Sequence, residues 1–222
     1  MKELTLIIPA KKEAESLPFV LNELQKYNYK TDVVLHPSDL ETINAIKKYD
    51  INIVYQKNLG FGDALIYGIK QCKTKYFCIF NADGSFDEND LPKMLELNTH
   101  NDFVFTSRYI QNASSDDDTV VTYLGNKLFS LLGKIFFSLK ISDILYTYVM
   151  GKTDSFKKLN IKNNDFRFCV ELPIKIQKNK MKYISIPSHE KKRIAGIKKV
   201  NAIKDGFLIL IEMISLFFNK FV

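Results

Sequence analysis

The sequence predicts an α/β fold in which a mainly parallel central sheet has helices on both faces. The first observation is that strand-like apolar segments alternate with amphipathic helix-like segments over the first 100 residues. The second is that the first strand-like segment, "LTLIIPA" at 4–10, is apolar on both faces, as expected for a strand that is covered on two sides. Such alternation builds a parallel sheet through right-handed crossovers.

Four strands and four helices are predicted in the first half of the chain. Short runs of β-branched and other apolar residues predict the strands, at 4–10, 32–36, 51–56 and 76–82. Apolar residues that recur every three or four positions predict the helices, at 14–27, 39–49, 62–72 and 87–98. Asp39 is expected at the start of the second helix, as its N-cap or a first-turn acid.

The pattern changes after a further strand at 102–109. The polar loop "QNASSDDDT" precedes a long apolar helix at 121–139. A helix is then predicted at 165–180, and a strand that leads into a basic loop at 181–192. Because 222 residues suffice for one domain with a full core, we expect a single domain, 1–222.

The C-terminal segment 205–222 is very apolar. Glu212 interrupts it, and the uninterrupted part is shorter than the roughly 20 residues of a membrane-spanning helix. Three alternatives remain open for this segment: packing on the core, lying at a membrane interface, or being a truncated spanning segment.

Positive charge is concentrated in one part of the chain. The net charge is +7, but residues 175–204 alone carry +9, with ten Lys and Arg against one Glu, so the rest of the chain is slightly negative. The segment indicates an anionic partner, either a phosphate, a nucleic acid or an acidic membrane face, or it is a solvated surface. The three cysteines lie in apolar surroundings without paired metal-ligand spacing, so we expect reduced core thiols in a cytosolic protein.

Polar residues follow each of the first four predicted strands. They occupy four segments, 9–13, 36–39, 56–62 and 81–85. Ligands of open parallel sheets bind beyond the carboxyl ends of the strands. We therefore expect these four segments to converge on one crevice.

The segment "NADGS" at 81–85 is the candidate metal-binding turn. Mg²⁺ or Mn²⁺ bound to a nucleotide diphosphate takes only one or two protein carboxylates, because phosphates and water supply the other ligands. Asp83 would be the anionic ligand, and the amide oxygen of Asn81 a weaker one, with Ser85 in the outer shell. The alternative is an Asx turn that caps the next helix.

The glycine-bearing loop "NLGFGDA" excludes two common nucleotide-binding classes. It lacks the spacing of a P-loop, and it lacks a full Gly-x-Gly-x-x-Gly motif. A hydride-transferring dinucleotide enzyme is therefore disfavoured. Tight-turn glycines before a helix explain the loop, and they are compatible with a nearby ligand.

Several motifs together resemble one family, the family 2 glycosyltransferases. In order they are "LIIPAKKEAESLPFVLNEL", "NLGFGDALIYGI", "YFCIFNADGSFDENDLPKML", "FTSRY", "LGNKLFSLL", "ISD", "VELPIKI" and "ISIPSHEKKRIAGIKKV". The most similar branch is the dolichyl and polyprenyl-phosphate mannosyl- and glucosyltransferases. The resemblance covers nearly the whole chain, although "PAKKE" has Lys12 in place of the usual Asn and the metal turn has Asn81 in place of the usual Asp.

The resemblance implies a GT-A fold, the Rossmann-like fold of nucleotide-diphospho-sugar transferases. Residues 1–109 would form the nucleotide-sugar-binding half, 110–204 the acceptor half and 205–222 an apolar C-terminal helix. The implied reaction is metal-dependent and inverting, with Mg²⁺ or Mn²⁺ as cofactor and a UDP- or GDP-sugar as donor. The implied acceptor is a polyprenyl phosphate or a cell-surface glycan.

The resemblance also implies roles for residues of the nucleotide-sugar half. Pro9, Ala10 and Glu13 match the first-strand segment that touches the nucleotide. Asp39 matches an acid that contacts the base or the ribose. The metal-binding turn, which also touches the donor, matches Asn81, Ala82, Asp83 and Ser85, with Asp83 and Asn81 as the metal ligands.

Three further motifs complete the implied site. Arg108 of "FTSRY" resembles the basic residue near the donor phosphates. Asp143 of "ISD" resembles an acid that faces the acceptor, and it would be the base for a hydroxyl acceptor. Arg193 and Lys198 of "RIAGIKK" resemble the basic pair that neutralises the diphosphate or the acceptor phosphate. Asp143, Arg193 and Lys198 are therefore the expected catalytic residues.

Location and partners follow from the same features. We expect a cytoplasmic protein, with or without peripheral contact with the cytoplasmic face of the membrane through 205–222. No nucleic-acid partner is expected, because the basic segment has few interleaved aromatic residues. A non-catalytic nucleotide-sugar-binding or scaffold protein derived from this fold is the alternative, motivated by Asn81 and by His36 in "HPSD".

Overall fold

A seven-stranded sheet forms the centre of the computed structural model, which describes residues 3–219. The strands are β1 Leu4–Pro9, β2 Lys30–Leu35, β3 Asn52–Tyr55, β4 Tyr76–Ile79, β5 Phe103–Ser107, β6 Val149–Lys152 and β7 Tyr183–Pro187. Their order across the sheet is β3-β2-β1-β4-β6-β5-β7. Strand β6 runs antiparallel to both of its neighbours, whereas the other pairs are parallel. The mainly parallel α/β sheet predicted from the sequence is confirmed.

Eight α-helices flank the sheet within residues 3–219. They are α1 Leu17–Leu24, α2 Leu40–Ile46, α3 Phe61–Gln71, α4 Leu91–Asn98, α5 Val120–Phe137, α6 Thr153–Lys158, α7 Phe168–Lys178 and α8 Ala202–Phe218. Short 3-10 turns at Gln25–Tyr27 and Glu88–Asp90 follow α1 and precede α4. Asp39 is the N-cap of α2, where its side chain accepts a hydrogen bond from the backbone of Thr42.

Strand β6 and helix α6 were not predicted from the sequence. Strand β6 has only four residues, and one of them is Gly151, so its apolar pattern is too short to identify. Gly151 lies beside the ring of Phe103, and a Cβ at this position would lie 2.6 Å from that ring. The glycine therefore lets β6 pack closely in the middle of the sheet.

Each face of the sheet is covered by its own apolar cluster. Ile7 and Phe77 point to the face packed by α3, α6 and α7, whereas Leu6 and Cys78 point to the face packed by α1, α2 and α4. Burial on both faces explains why the strands are apolar throughout. The three cysteines are buried and free, as expected, and burial raises the pKa of the Cys169 thiol to about 12.

The described part of the apolar C-terminal segment forms α8, and residues 220–222 lie outside the described residues. Ile209, Met213 and Leu216 pack into the core, so this helix covers the body of the protein. Within residues 3–219, α5 is the one helix that length and composition alone would allow to cross a membrane.

Candidate active site

The carboxyl ends of β1 to β4 converge on one cleft, as predicted. The cleft has a volume of about 1370 Å³. Each of the four segments contributes to its wall, and the residues include Pro9, Ala10, Glu13, His36, Asp39, Gln56, Gly60, Asn81, Ala82 and Asp83. The expected pair Arg193 and Lys198 lies in the same wall. The sequence-predicted nucleotide, metal and phosphate groups are therefore brought together from distant parts of the chain.

The candidate metal-binding turn is closed by its own side chains. The backbone N of Ser85 donates to Asp83 at 3.0 Å, which is the Asx turn considered as an alternative. The amide nitrogen of Asn81 donates to the hydroxyl of Ser85 at 3.2 Å, so the amide oxygen of Asn81 is left as an acceptor. Gly84 has φ +80°, a conformation that favours glycine.

The loop that joins β7 to α8, residues 188–201, lies directly on this turn, and we call it the basic loop. The backbone N of Ile194 donates to the carbonyl of Asp83, and that of Lys191 donates to the carbonyl of Ser85, both at 2.8 Å. A Cβ at Gly84 would lie 2.4 Å from the side chain of Ile194. A side chain at position 84 would therefore displace Ile194 and the basic loop from the turn.

Arg193 and Lys198 share one carboxylate, that of Asp117. Arg193 lies 2.9 Å from Asp117 and 3.4 Å from Asp83, and Lys198 lies 3.1 Å from Asp117. Burial raises the pKa of Asp117, but hydrogen bonds from Arg193 and Lys198 outweigh that effect and hold the pKa below its usual value. Sequence reasoning missed Asp117, although three consecutive acids at 116–118 gave a signal.

Glu13 and Asp39 line the cleft with their carboxylates already hydrogen-bonded. Glu13 pairs with Lys199 and accepts from the hydroxyl of Ser16, both at 2.8 Å. Asp39 accepts from the backbone N of Lys12 at 2.6 Å, in addition to capping α2. Lys12 has φ +56°, in the left-handed region, and its hydrogen bond to Asp39 holds the backbone of the "PAKKE" segment in that conformation.

Arg108 was expected near the donor phosphates, but its guanidinium is committed to three carboxylates. It lies 2.7 Å from Asp143, 3.0 Å from Glu190 and 3.3 Å from Asp118, and it is 7% exposed. Its charge also lies over the ring of Tyr146, 4.5 Å from the centroid. Burial lowers the pKa of Arg108, but the bonds to Asp143 outweigh it and raise the pKa above its ordinary value. Arg108 therefore forms a buried ionic cluster at the cleft wall.

Asp143 was expected to face the acceptor, and in the structure its side chain is buried. Its carboxylate is buried behind Arg108, and both oxygens accept from the Arg108 guanidinium, at 2.7 and 2.9 Å. The backbone N of Arg108 donates to it as well, at 3.2 Å. The physical reason is that a buried guanidinium needs a carboxylate partner.

The residues of the turn fit a divalent cation that brings most of its ligands with it. Within residues 3–219, no three His, Cys, Asp or Glu side chains cluster to hold a metal. Asp83 offers one carboxylate and Asn81 one amide oxygen. Mg²⁺ and Mn²⁺ are bound in this way when water and substrate phosphates supply the rest.

Comparison with known proteins gives one family match. The model of "Glycosyl transferase family 2" matches residues 5–159. An uncharacterized glycosyltransferase of Mycobacterium bovis is 33% identical over 101 residues, which is 45% of this chain and 46% of the relative, so the match spans about half of each. The undecaprenyl-phosphate mannosyltransferase of Micrococcus luteus is 23% identical over 215 residues, 90% of this chain and 88% of the relative.

The fold of this chain is similar to those of solved glycosyltransferases. Glucosyl-3-phosphoglycerate synthase from Mycobacterium tuberculosis, in complex with Mn²⁺, UDP and glucosyl-3-phosphoglycerate, has a TM-score of 0.76 at 12% identity. The match covers 97% of this chain and 80% of that one. Mannosyl-3-phosphoglycerate synthase from Rubrobacter xylanophilus has a TM-score of 0.71 at 14% identity, over 96% and 72% of the two chains.

Proposed function

This chain belongs to glycosyl transferase family 2, and from that premise we propose that it transfers a sugar from a nucleotide-diphosphate sugar to a phosphate-bearing acceptor. Family membership confirms the predicted resemblance and supports the proposed glycosyltransferase activity, and the likeness to solved structures confirms the GT-A fold. One observation carries the proposal: the candidate metal turn and the basic pair Arg193 and Lys198 meet in the cleft beyond β1 to β4.

The donor would lie along the ends of β1, β2 and β4. Pro9, Ala10, Glu13 and Asp39 would contact the nucleotide, and the turn at 81–83 would lie beside the diphosphate. The mycobacterial neighbour was solved in complex with UDP and Mn²⁺, which supports a UDP-sugar, and a GDP-sugar is the second candidate.

Asp83 and Asn81 would hold Mg²⁺ or Mn²⁺ together with diphosphate oxygens. Such an ion acts as a Lewis acid that neutralises the charge growing on the leaving diphosphate. The side chain of Ser85 orients Asn81 through their hydrogen bond, and the backbone N of Ser85 orients Asp83.

Arg193 and Lys198 would stabilise the leaving group directly. The bond between the anomeric carbon and the diphosphate breaks as the acceptor oxygen attacks from the opposite face, which inverts the configuration. A planar guanidinium and an ammonium group held at fixed positions lower the energy of the charge that develops on the diphosphate. Asp117 would keep both side chains at the cleft by its bonds to them.

The ion pairs of the acids around the turn favour a phosphate acceptor over a sugar hydroxyl. A hydroxyl acceptor needs a free base, whereas an ionised phosphate does not. The acids around the turn already carry basic partners: Glu13, Asp83, Asp117, Asp118 and Glu190. The Micrococcus relative is named as an undecaprenyl-phosphate mannosyltransferase, and the solved neighbours are named as sugar-3-phosphoglycerate synthases. We therefore propose a polyprenyl phosphate first and a cell-surface glycan second.

Donor turnover tests the proposal. The full chain is incubated with UDP- and GDP-sugars and Mg²⁺ or Mn²⁺, with and without polyprenyl phosphate, and release of the nucleoside diphosphate is measured. We expect release with one donor, dependent on the metal and stimulated by the acceptor. Donor binding without turnover under every condition would favour the alternative of a non-catalytic nucleotide-sugar-binding protein.

A further inference from the structure

Large exposed apolar side chains are concentrated on α5, α8 and the basic loop. Along α5, five of them recur at three- and four-residue spacing, and each is more than half exposed: Val121, Leu124, Leu128, Leu131 and Ile135. This spacing places them in a single stripe along the outward side of the helix. The opposite side of α5, with Asn126, Phe129, Ser130 and Gly133, is buried against the body.

Helix α8 carries a second stripe of the same kind. Ile203, Phe207, Leu210, Ile214 and Phe217 are between 38% and 86% exposed. The two helices pack against one another, and the ring of Phe217 lies 5.5 Å from that of Phe136 on α5. The stripes therefore belong to neighbouring helices, and we call them together the apolar platform.

The charges around the platform are mainly positive. The only charged residues of α5 are Lys127 and Lys134, and α8 adds Lys204 at its exposed start. The acids of α8, Asp205 and Glu212, are half-buried and share the helix side of its core residues. Within residues 3–219, none of these lysines forms an ion pair.

The basic loop continues the same composition up to the cleft. Ile194, Ile197 and Val200 are exposed between Lys and Arg residues. The cleft wall itself includes Val121 at the start of α5 and Lys204 at the start of α8. The mouth of the cleft therefore opens beside the apolar platform.

We propose that the apolar platform and the basic loop dock the protein on an anionic lipid bilayer, with the mouth of the cleft facing the lipid. Exposed apolar stripes bordered by Lys are the composition of helices that lie in the plane of a membrane interface. Delivery of a lipid-linked phosphate to the cleft rests on the proposed function, whereas docking itself does not.

Two other arrangements fit the residues less well. A symmetric dimer would bring the platform against its own copy, and the lysines at 127, 134 and 204 would then face one another. Insertion of α5 across the membrane would expose its buried side, where the hydroxyl of Ser130 accepts a hydrogen bond from the backbone N of Ile144. A helix lying on the surface keeps that contact.

Sedimentation of the full chain with lipid vesicles tests the proposal. We expect binding to vesicles that contain phosphatidylglycerol and weaker binding to pure phosphatidylcholine. Leu131→Glu and Ile214→Glu should each weaken binding about tenfold or more, and Lys134→Gln about fivefold on the anionic vesicles only. Phe19→Glu is the matched control, because Phe19 is 58% exposed on α1, away from the platform.

The outcomes separate docking from catalysis and from self-association. Circular dichroism and nucleotide-sugar binding without vesicles should be unchanged in all four variants. If the parent chain itself binds no nucleotide sugar, that result counts against the proposed function and not against docking. Equal vesicle binding by Leu131→Glu, Phe19→Glu and the parent chain would overturn the docking proposal. A second result would also overturn it: the parent chain binds no vesicles, light scattering shows that it is a dimer, and Leu131→Glu dissociates that dimer.

Discussion

The guanidinium of Arg193 lies 3.4 Å from the carboxylate of Asp83, the one acid of the candidate metal turn. A second nitrogen of the same guanidinium lies 2.9 Å from Asp117. Arg193, which is proposed to neutralise the diphosphate, therefore neutralises Asp83, which is proposed to hold the metal. When a cation and a diphosphate bind together, Asp83 must exchange Arg193 for the cation, and Arg193 must exchange Asp83 for the diphosphate. Arg193 should therefore oppose binding of the cation alone and favour binding of the diphosphate.

Arg193→Gln is expected to strengthen binding of Mn²⁺ alone and to weaken binding of UDP or GDP with Mn²⁺. The first effect follows from removal of the competing cation beside Asp83, and we expect about fivefold. The second follows from loss of a phosphate contact, and we expect about tenfold. Electron paramagnetic resonance of free Mn²⁺ measures the first, and calorimetry the second.

Lys192→Gln is the matched control for Arg193→Gln. It removes the same charge from the neighbouring position, but Lys192 is exposed and forms no ion pair within the described part of the chain. Both affinities should stay near those of the parent chain. A change of the same sign for both ligands in Arg193→Gln would show that Arg193 does not exchange partners.

Asn81→Asp is expected to increase the affinity for divalent cations, by about tenfold, because it adds a second carboxylate to the turn. Asp83→Ala should abolish metal-dependent donor binding while leaving the fold intact, since Asp83 is the only carboxylate there. Calorimetric titration with Mn²⁺ in the presence of the nucleoside diphosphate measures both. Unchanged metal dependence in Asp83→Ala would move the metal site elsewhere.

The sequence predicted the sheet and the cleft because their signals are local or topological. Apolar runs and helix spacing are visible within a dozen residues, and parallel strands bring their carboxyl ends together whatever the loops between them contain. Asp83, Glu13 and Arg193 were therefore expected together, and the structure brings them to the wall of one cleft. Strand β6 was missed because four residues that include Gly151 carry too little pattern.

Charge partners could not be predicted in the same way. Arg108 is separated by 35 residues from Asp143 and by 82 from Glu190, and Arg193 by 76 from Asp117. No local pattern states which acid a basic side chain will meet. The sequence therefore predicted separate roles for Arg108 and Asp143 and missed that the two side chains form an ion pair at the cleft wall.

Glu88→Gln is expected to destabilise the protein at neutral pH by about 1–3 kcal/mol, because Glu88 joins two basic residues. Its carboxylate lies 2.6 Å from Lys191 of the basic loop and 3.1 Å from Lys26, and its side chain is 7% exposed. Burial raises the pKa of Glu88, but the bonds from Lys191 and Lys26 outweigh it and hold the pKa below the ordinary 4.5.

The pH dependence of this stabilisation follows from the sign of the pKa change. A carboxyl group whose pKa is lowered by folding contributes above pH 4.5, and the contribution is lost as the pH falls through its folded value. Urea unfolding from pH 7 to pH 3 should show the difference between Glu88→Gln and the parent chain shrinking with acid. Glu96→Gln, which removes an exposed ion pair with Lys93, should differ little at any pH.

Asp143→Asn should destabilise the protein by about 3–5 kcal/mol in urea unfolding, because it removes a buried carboxylate from Arg108. If Asp143 positions Arg108, the folded variant keeps the parent pH profile for nucleoside diphosphate release, and the double variant with Arg108→Gln recovers part of the lost stability. If Asp143 is instead the base for a hydroxyl acceptor, kcat collapses and the acidic limb of the profile disappears. That result would favour the glycan acceptor over the lipid phosphate.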